Sequence, residues 1–301
     1  MLSRPIVVQT TNFNENSGGS IVLHYLVHSL RKLGIEAYVS PNLKEKSIFY
    51  PTLIKSIHDR IQYNNFRKKT PSFKTLNTPI APKNIISESI IIYPEIVRGN
   101  PLQSTRVVRW LLNKPGFFNG VAYEHNPKEE VFFYQYAFID GLQEIPKDNL
   151  LQVRWLRDDI YKNKNISNRA GACRLIRKGR KLSDLRIPEK DNAIRLDGKS
   201  HIEIAEIFNK TEIFFCHDPY TMYCYYAALC GCVPVVVPQM DLSRKKWRDG
   251  FEIKNGVAYG EDEIDWAIAT RSALMADMKN AKLEETEQLE FFLSKIRSRF
   301  E

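Results

Sequence analysis

No stretch of this 301-residue sequence approaches the run of about 18 apolar residues that a membrane-spanning helix requires. Its opening, MLSRPIVVQTTNF, holds too short an apolar run, with Pro5 inside it, for a secretory signal. The expectation is a soluble protein of the cytoplasm. Cysteine is scarce: an odd total of five in a chain this long predicts reduced thiols and excludes a disulfide framework. Cys230 and Cys232 lack zinc-knuckle spacing, and no second pair with nearby histidines completes a metal set. The five are therefore read as small buried side chains. There is no internal repeat and no low-complexity tract, and aromatics at 11% exclude disorder.

The residues that are present build a globular α/β chain of one to two domains, 43% apolar and 26% charged. Basic residues outnumber acidic ones 44 to 35, a net charge of +9, with clusters at Arg67-Lys68-Lys69, at Arg174 to Lys181, and at Arg244-Lys245-Lys246 with Arg248. Such a balance suits phosphate-bearing ligands, nucleic acid or an anionic membrane surface. Nucleic acid is disfavoured, because the aromatics fall in apolar strands and helices rather than among the basic residues. The first cluster reads as solvated surface.

Periodicity organises the chain. PIVVQTT (residues 5–11) reads as a buried strand and NFNENSGG (12–19) as a turn-rich loop. SIVLHYLVHSLRKLG (20–34) is a helix capped by Ser20 and ended by Gly34, and IEAYVS is a second strand. That is a βαβ unit of a parallel sheet. A polar, proline-punctuated stretch over 41–84 holds one helix near Leu53 to Phe66. SIIIYPEIV is a buried strand, TRVVRWLLNKPG a short helix or a strand plus a turn, and GVAYEHN (120–126) the end of a further strand. A boundary falls near 145–170, around a short helical piece. The pattern then restarts: a strand near Ala172 to Ile176, a basic loop, AIRLDG, a helix capped by Ser200, the strand EIFFCHD, and CVPVVVP. The domains read as 1–150, 151–270, and a terminal helix over 271–301 able to cross back to the first.

Chemistry concentrates in HDPYTMYCYYAALCGCVPVVVP. Thr221 reads as the N-cap and Gly231 as the C′ glycine of a short buried helix. Ligands of open parallel sheets bind beyond the carboxyl ends of the strands, where EIFFCHD delivers Asp218 and Thr221. Two readings stand there: a capped core helix, or a helix start whose N–H groups hold an anion such as phosphate. Arg174, Arg177 and Lys178 follow another strand to the same edge, and basic side chains around a helix start make a diphosphate cradle. Candidate bases at strand ends of the first half are Glu95, Glu124 and His125, with Glu15 in the Gly-containing loop; Glu95, directly after SIIIYP, ranks first. His24 and His28 lie four apart on one helix face without partners for a metal, and Asp158-Asp159 reads as a solvated helical face.

SHIEIAEIFNKTEIFFCHDPYTMYCYYAALCGCVPVVVP resembles the nucleotide-binding half of GT-B-fold glycosyltransferases, and WRDGFEIKNGVAYGEDEIDWAIA the segment that closes their nucleotide site. NSGGSIVLHYLVHSLRKLG is similar to the Gly-rich loop and first helix of their acceptor half, and IIYPEIVRGNP with VVRWLLNKPG to small sugar transferases of surface-polysaccharide pathways. The resemblance implies two Rossmann-like domains with parallel sheets facing across a cleft. It implies transfer of a hexose or pentose from a nucleotide-diphosphate sugar to a hydroxyl of a growing surface glycan, on a glycan or lipid-linked oligosaccharide acceptor, with no cofactor and no metal. Arg174, Arg177, Lys178 and Thr221 would hold the donor diphosphate, and Asp218, Tyr220 and Tyr226 its sugar and nucleotide. Gly18 and Gly19 would admit donor or acceptor to the loop backbone. Tyr226 stands where the family often has a ribose-binding glutamate, which leaves a non-catalytic nucleotide- or glycan-binding module as the alternative. The basic surface either holds the protein at an anionic membrane or keeps it soluble.

Overall fold

The structure is a computed structural model that describes residues 2–43, 52–69, 76–118, 120, 123–176, 192–250 and 255–301. The chain divides into two compact units, Met1–Trp155 with Leu283–Glu301, and Leu156–Lys282. Each is built on a five-stranded, all-parallel sheet.

In the first unit β1 (Ile6–Thr10), β2 (Ala37–Pro41), β3 (Ile90–Pro94), β4 (Val107–Leu111) and β5 (Glu130–Phe133) stand in the order β2-β1-β3-β4-β5. Ile80 adds a one-residue bridge outside β2, through Val39 N–H to the Pro79 carbonyl at 2.9 Å and Ala81 N–H to the Val39 carbonyl at 2.8 Å. With that remnant as a third strand, the arrangement is the doubly wound order 3-2-1-4-5-6. The strands are apolar almost throughout because both faces are covered. Val8, Ile92, Val108, Trp110 and Phe132 pack on one face with Leu26, Val27 and Leu30 of α1 (Gly18–Lys32), and Val7, Ile91, Tyr93 and Val107 on the other. The helix expected near Leu53 to Phe66 is α2 (Thr52–Lys69), and TRVVRWLLNKPG resolves as strand plus turn.

Three expectations are corrected here. Helix α1 begins at Gly18: Ser17, in extended conformation, accepts the Ser20 N–H on its Oγ, so Ser17 rather than Ser20 is the N-cap. The next strand is β5, not GVAYEHN. Asn126 and Pro127 form a turn, in which the Asn126 side chain accepts the Lys128 N–H at 3.1 Å and its carbonyl the Glu129 N–H at 2.9 Å, and EVFF pairs with β4 beyond it. Asp158 and Asp159 lie in a turn, not a helix, and Asp159 pairs with the buried Arg157 at 2.9 Å.

In the second unit β6 (Ala172–Leu175), β7 (Ile194–Arg195), β8 (Ile213–Cys216), β9 (Val233–Val236) and β10 (Ala258–Tyr259) stand in the order β10-β9-β8-β6-β7. Relabelled within the unit, this is the first unit's order again. Pro234 is tolerated inside β9 because β10 pairs only from Val235 onward. Helix α3 (His201–Lys210) starts in a capping box between Ser200 and Glu203. Helix α4 (Tyr223–Leu229) ends in a Schellman motif: Gly231 N–H bonds the Ala228 carbonyl and Cys232 N–H the Ala227 carbonyl, each at 3.0 Å. Gly34 closes α1 the same way, to Arg31 and Leu30. All five cysteines are buried and free.

The last helices are α6 (Ile264–Ala269) and α7 (Arg271–Phe300). Residues 283–300 of α7 belong to the first unit: Leu289, Phe292 and Ile296 enter its core, and Phe292 meets Phe132 edge-on at 4.9 Å. Gln288 and Glu285 accept the backbone N–H groups of Gln152 (2.8 Å) and Arg154 (3.0 Å).

Both C′ glycines have positive φ, +76° at Gly34 and +88° at Gly231, but an added Cβ meets open space at Gly34 and Arg169 Nη2 at 2.7 Å at Gly231. Gly34→Ala is expected to cost about 1 kcal/mol of backbone strain and Gly231→Ala more, about 2 kcal/mol. Urea unfolding of both variants measures the difference, and equal losses would remove the role assigned to Arg169.

Candidate functional site

The topological switch of the second sheet lies between β6 and β8, the position where doubly wound sheets bind ligands. His217 continues β8, its N–H donating to the Leu175 carbonyl at 3.0 Å. Polar residues crowd this edge while remaining buried: Arg174 is 6% exposed, His217 4%, Asp218 7% and Thr221 8%. Burial of four such groups on one strand edge is unusual unless they share a task.

Each is fixed differently. Asp218 Oδ1 accepts the Tyr220 N–H at 3.4 Å, an Asx turn that carries the chain off β8. Thr221 Oγ1 lies 3.5 Å from the Tyr223 nitrogen, and the N-cap position of α4 belongs to Met222, so Thr221 precedes the helix rather than capping it. The Pro219 carbonyl accepts Trp247 Nε1 at 2.8 Å, which anchors the turn from α5 (Arg244–Gly250). Burial, and then the neighbouring Arg195, lower the Arg174 guanidinium from its ordinary value, and it stays cationic. Asp197, in the turn before α3, accepts the Ile176 N–H at 3.1 Å and Arg195 Nε at 3.3 Å. Burial lowers the His217 pKa, Arg174 lowers it further, and Asp197 opposes them.

Arg174, Asp218 and Thr221 are thus brought together. Tyr220 is half-buried against the core of this unit. Tyr226 is not part of the edge: it is 4% exposed, stacked on Tyr161 at 4.0 Å and 4°, edge-on to Tyr223 and His201, and its hydroxyl is hydrogen-bonded to the Arg157 backbone. A phenol at this helix position fills the aromatic core. Arg177 and Lys178 lie outside the described residues. The residue missed by motif reading is His217, hidden because a lone histidine after a strand carries no spacing signal.

In the first unit the corresponding switch lies between β1 and β3. Glu95 follows β3 directly, half-buried, and its Oε2 accepts the Leu112 N–H at 3.0 Å, so the carboxylate braces the end of β4. Glu124 and His125 are exposed in the β4–β5 connection, away from any strand end. Glu15 is half-buried in the β1–α1 loop. Gly18 and Gly19 form the exposed first turn of α1, with no acidic side chain in that turn and open space where a Cβ would be. His24 lies beneath them, 0% exposed, and its Nε2–H donates to the Thr11 carbonyl at 2.9 Å. His28 bonds the Asn77 N–H. Among the described residues no three His, Cys, Asp or Glu side chains converge as a metal site, and no helix is long and apolar enough to cross a membrane.

No protein-family model matches this chain, and no curated protein matches it. What the structure defines is an α/β chain of two Rossmann-like parallel sheets, the second with a buried polar edge at its switch point.

His24 and His217 are both held below the ordinary histidine pKa by burial. In the unfolded chain they protonate near pH 6.5, so below about that pH the unfolded state binds more protons and stability falls. We expect the melting temperature to drop as pH is lowered from about 7.5 to about 5.5, and less steeply in His24→Gln. An unchanged slope in that variant would show that His24 is not held neutral.

Proposed function

We propose that this chain is a glycosyltransferase of the GT-B type that moves a sugar from a nucleotide-diphosphate sugar to a hydroxyl of a growing surface glycan. The observation that carries the reading is the polar edge of Arg174, Asp218 and Thr221 at the β6–β8 switch; Asp218 and Thr221 lie in the stretch resembling the nucleotide-binding half of that family. A guanidinium that remains charged while buried is suited to a diphosphate. In this reading Lys178 and Arg177 extend the cradle and neutralise the leaving diphosphate in place of a cation. Transfer then needs a stabilised leaving group and, for inversion, a base for the acceptor hydroxyl. Glu95 is assigned to the acceptor side, because it alone of the four candidates is both partly buried and seated directly at a strand end.

One observation favours a second reading. Tyr226 occupies the place of the ribose-binding glutamate and is committed to the aromatic core, so a non-catalytic nucleotide- or glycan-binding module fits the same edge. The two differ in turnover: a transferase releases nucleoside diphosphate from its donor when supplied with acceptor, and a binding module does not.

A thermal-shift screen with UDP-glucose, GDP-mannose, ADP-glucose and dTDP-glucose tests the reading. A donor at about 100 times its Kd adds about 2.7 kcal/mol of stability. One nucleotide class is expected to raise the melting temperature equally with EDTA and with magnesium. Lys178→Ala and Arg174→Gln are each expected to weaken binding about tenfold or more, the value of one charged hydrogen bond. A protein that binds none of the four, with or without metal, is not a transferase of this kind.

A further inference from the structure

Asp218 and Thr221 are engaged by the turn they build, whereas His217 is not. The residue is 4% exposed, and its ring Nδ1 has no hydrogen-bond partner. The backbone of the same residue is held on both sides, its N–H on the Leu175 carbonyl at 3.0 Å and its carbonyl on Gln239 Nε2 at 3.4 Å. The main chain of His217 is therefore fixed at the switch point, and its side chain is buried there. The charged groups acting on it are Arg174 from β6 and Asp197 from the turn before α3, and on the β9 side the neighbour is the uncharged Gln239. Asp197 also accepts the Ile176 N–H and Arg195 Nε.

A buried nitrogen without a partner is unfavourable, and the Arg174 guanidinium disfavours the imidazolium as well. An anion at the same edge reverses both terms. Its oxygens accept from the imidazole, and its negative charge offsets Arg174.

We propose that His217 is a binding residue for the phosphate groups of the ligand, donating a hydrogen bond to a phosphoryl oxygen and taking up one proton from solvent as the ligand binds. The proposal deepens the nucleotide-sugar reading and rests on it. The step balances simply: neutral imidazole plus a proton gives imidazolium, and no bond in the ligand forms or breaks. In the ligand-free protein burial and Arg174 keep the ring neutral. The role differs from that of Arg174, whose charge does not depend on the ligand.

The test is calorimetric titration of the wild-type protein with whichever of the four sugar nucleotides above binds, at about pH 7 in HEPES and in Tris, whose ionisation enthalpies differ. A sugar nucleotide has no terminal phosphate, so the ionisation of a phosphate monoester near about pH 6 does not intrude. The wild-type protein should take up about half to one proton per ligand, and its Kd should fall by up to about tenfold per pH unit as pH is lowered. Folded His217→Gln should take up none and bind with little pH dependence; His217→Asn serves if the glutamine variant does not fold. Binding by the wild-type protein without proton uptake, or uptake that survives in a folded variant, overturns the role of His217 and leaves the donor reading standing. Failure of all four donors to bind overturns both.

Discussion

The parallel pairing of β6 with β8 is the constraint on which the second unit depends. Ala172 to Leu175 run beside Ile213 to Cys216, and the ladder ends with the His217 N–H on the Leu175 carbonyl. Because both strands run the same way, everything that follows either one emerges at the same edge. Arg174 and Asp218 are 44 positions apart in the chain only because a βαβ crossover must intervene; the sheet removes that separation. An antiparallel pairing would have placed the two at opposite ends.

The first unit meets the same requirement with a different fastener. Arg109, on β4, forms a bidentate pair with Glu129 at 2.9 and 3.0 Å, donates to the carbonyls of Val97 and Gly99, and lies over the Tyr93 ring at 5.1 Å. One guanidinium thus ties the chain leaving β3 to the chain entering β5. Such a pair is costly to bury unless its donors are met, and here four hydrogen bonds hold the guanidinium, which is itself carried on a strand. The loop that carries Glu95 is held by this arrangement, so the carboxylate sits on a fixed support.

Much of this was legible in the sequence. Apolar runs bounded by turn residues located β1, β3, β8 and β9, and capping chemistry located α3 and the two glycine-ended helices, because these signals act within a few residues. Ser17 and Ser20 are equally good caps by type, and only the extended backbone at Ser17 separates them. GVAYEHN has strand composition, but the Asn126–Pro127 turn and the Arg109–Glu129 pair set where β5 starts, and the latter is a contact over 20 positions. Tyr226 reads as a ligand residue along the chain and as core once Tyr161 is seen stacked on it. Long-range packing, not local propensity, decided the last two.

His217 was illegible for a further reason: what marks it is a missing partner. Folded chains satisfy nearly all buried polar groups, so the exceptions carry information. Among the described residues, side-chain atoms without a partner include some in helices and loops, on His24, Arg31 and Thr78 for example, and a set near strand ends: Gln9 and Thr10 at the end of β1, Asn42 just past β2, Gln135 just past β5, and His217 just past β8. That set falls at carboxyl ends of strands in both units. A chain selected for stability alone would fill such positions with apolar residues of the same size. Keeping amides, hydroxyls and an imidazole there instead weakens the fold at the edge where a parallel sheet can meet a polar ligand, and that conflict with stability is the physical reason to look for function at the edge rather than in the core.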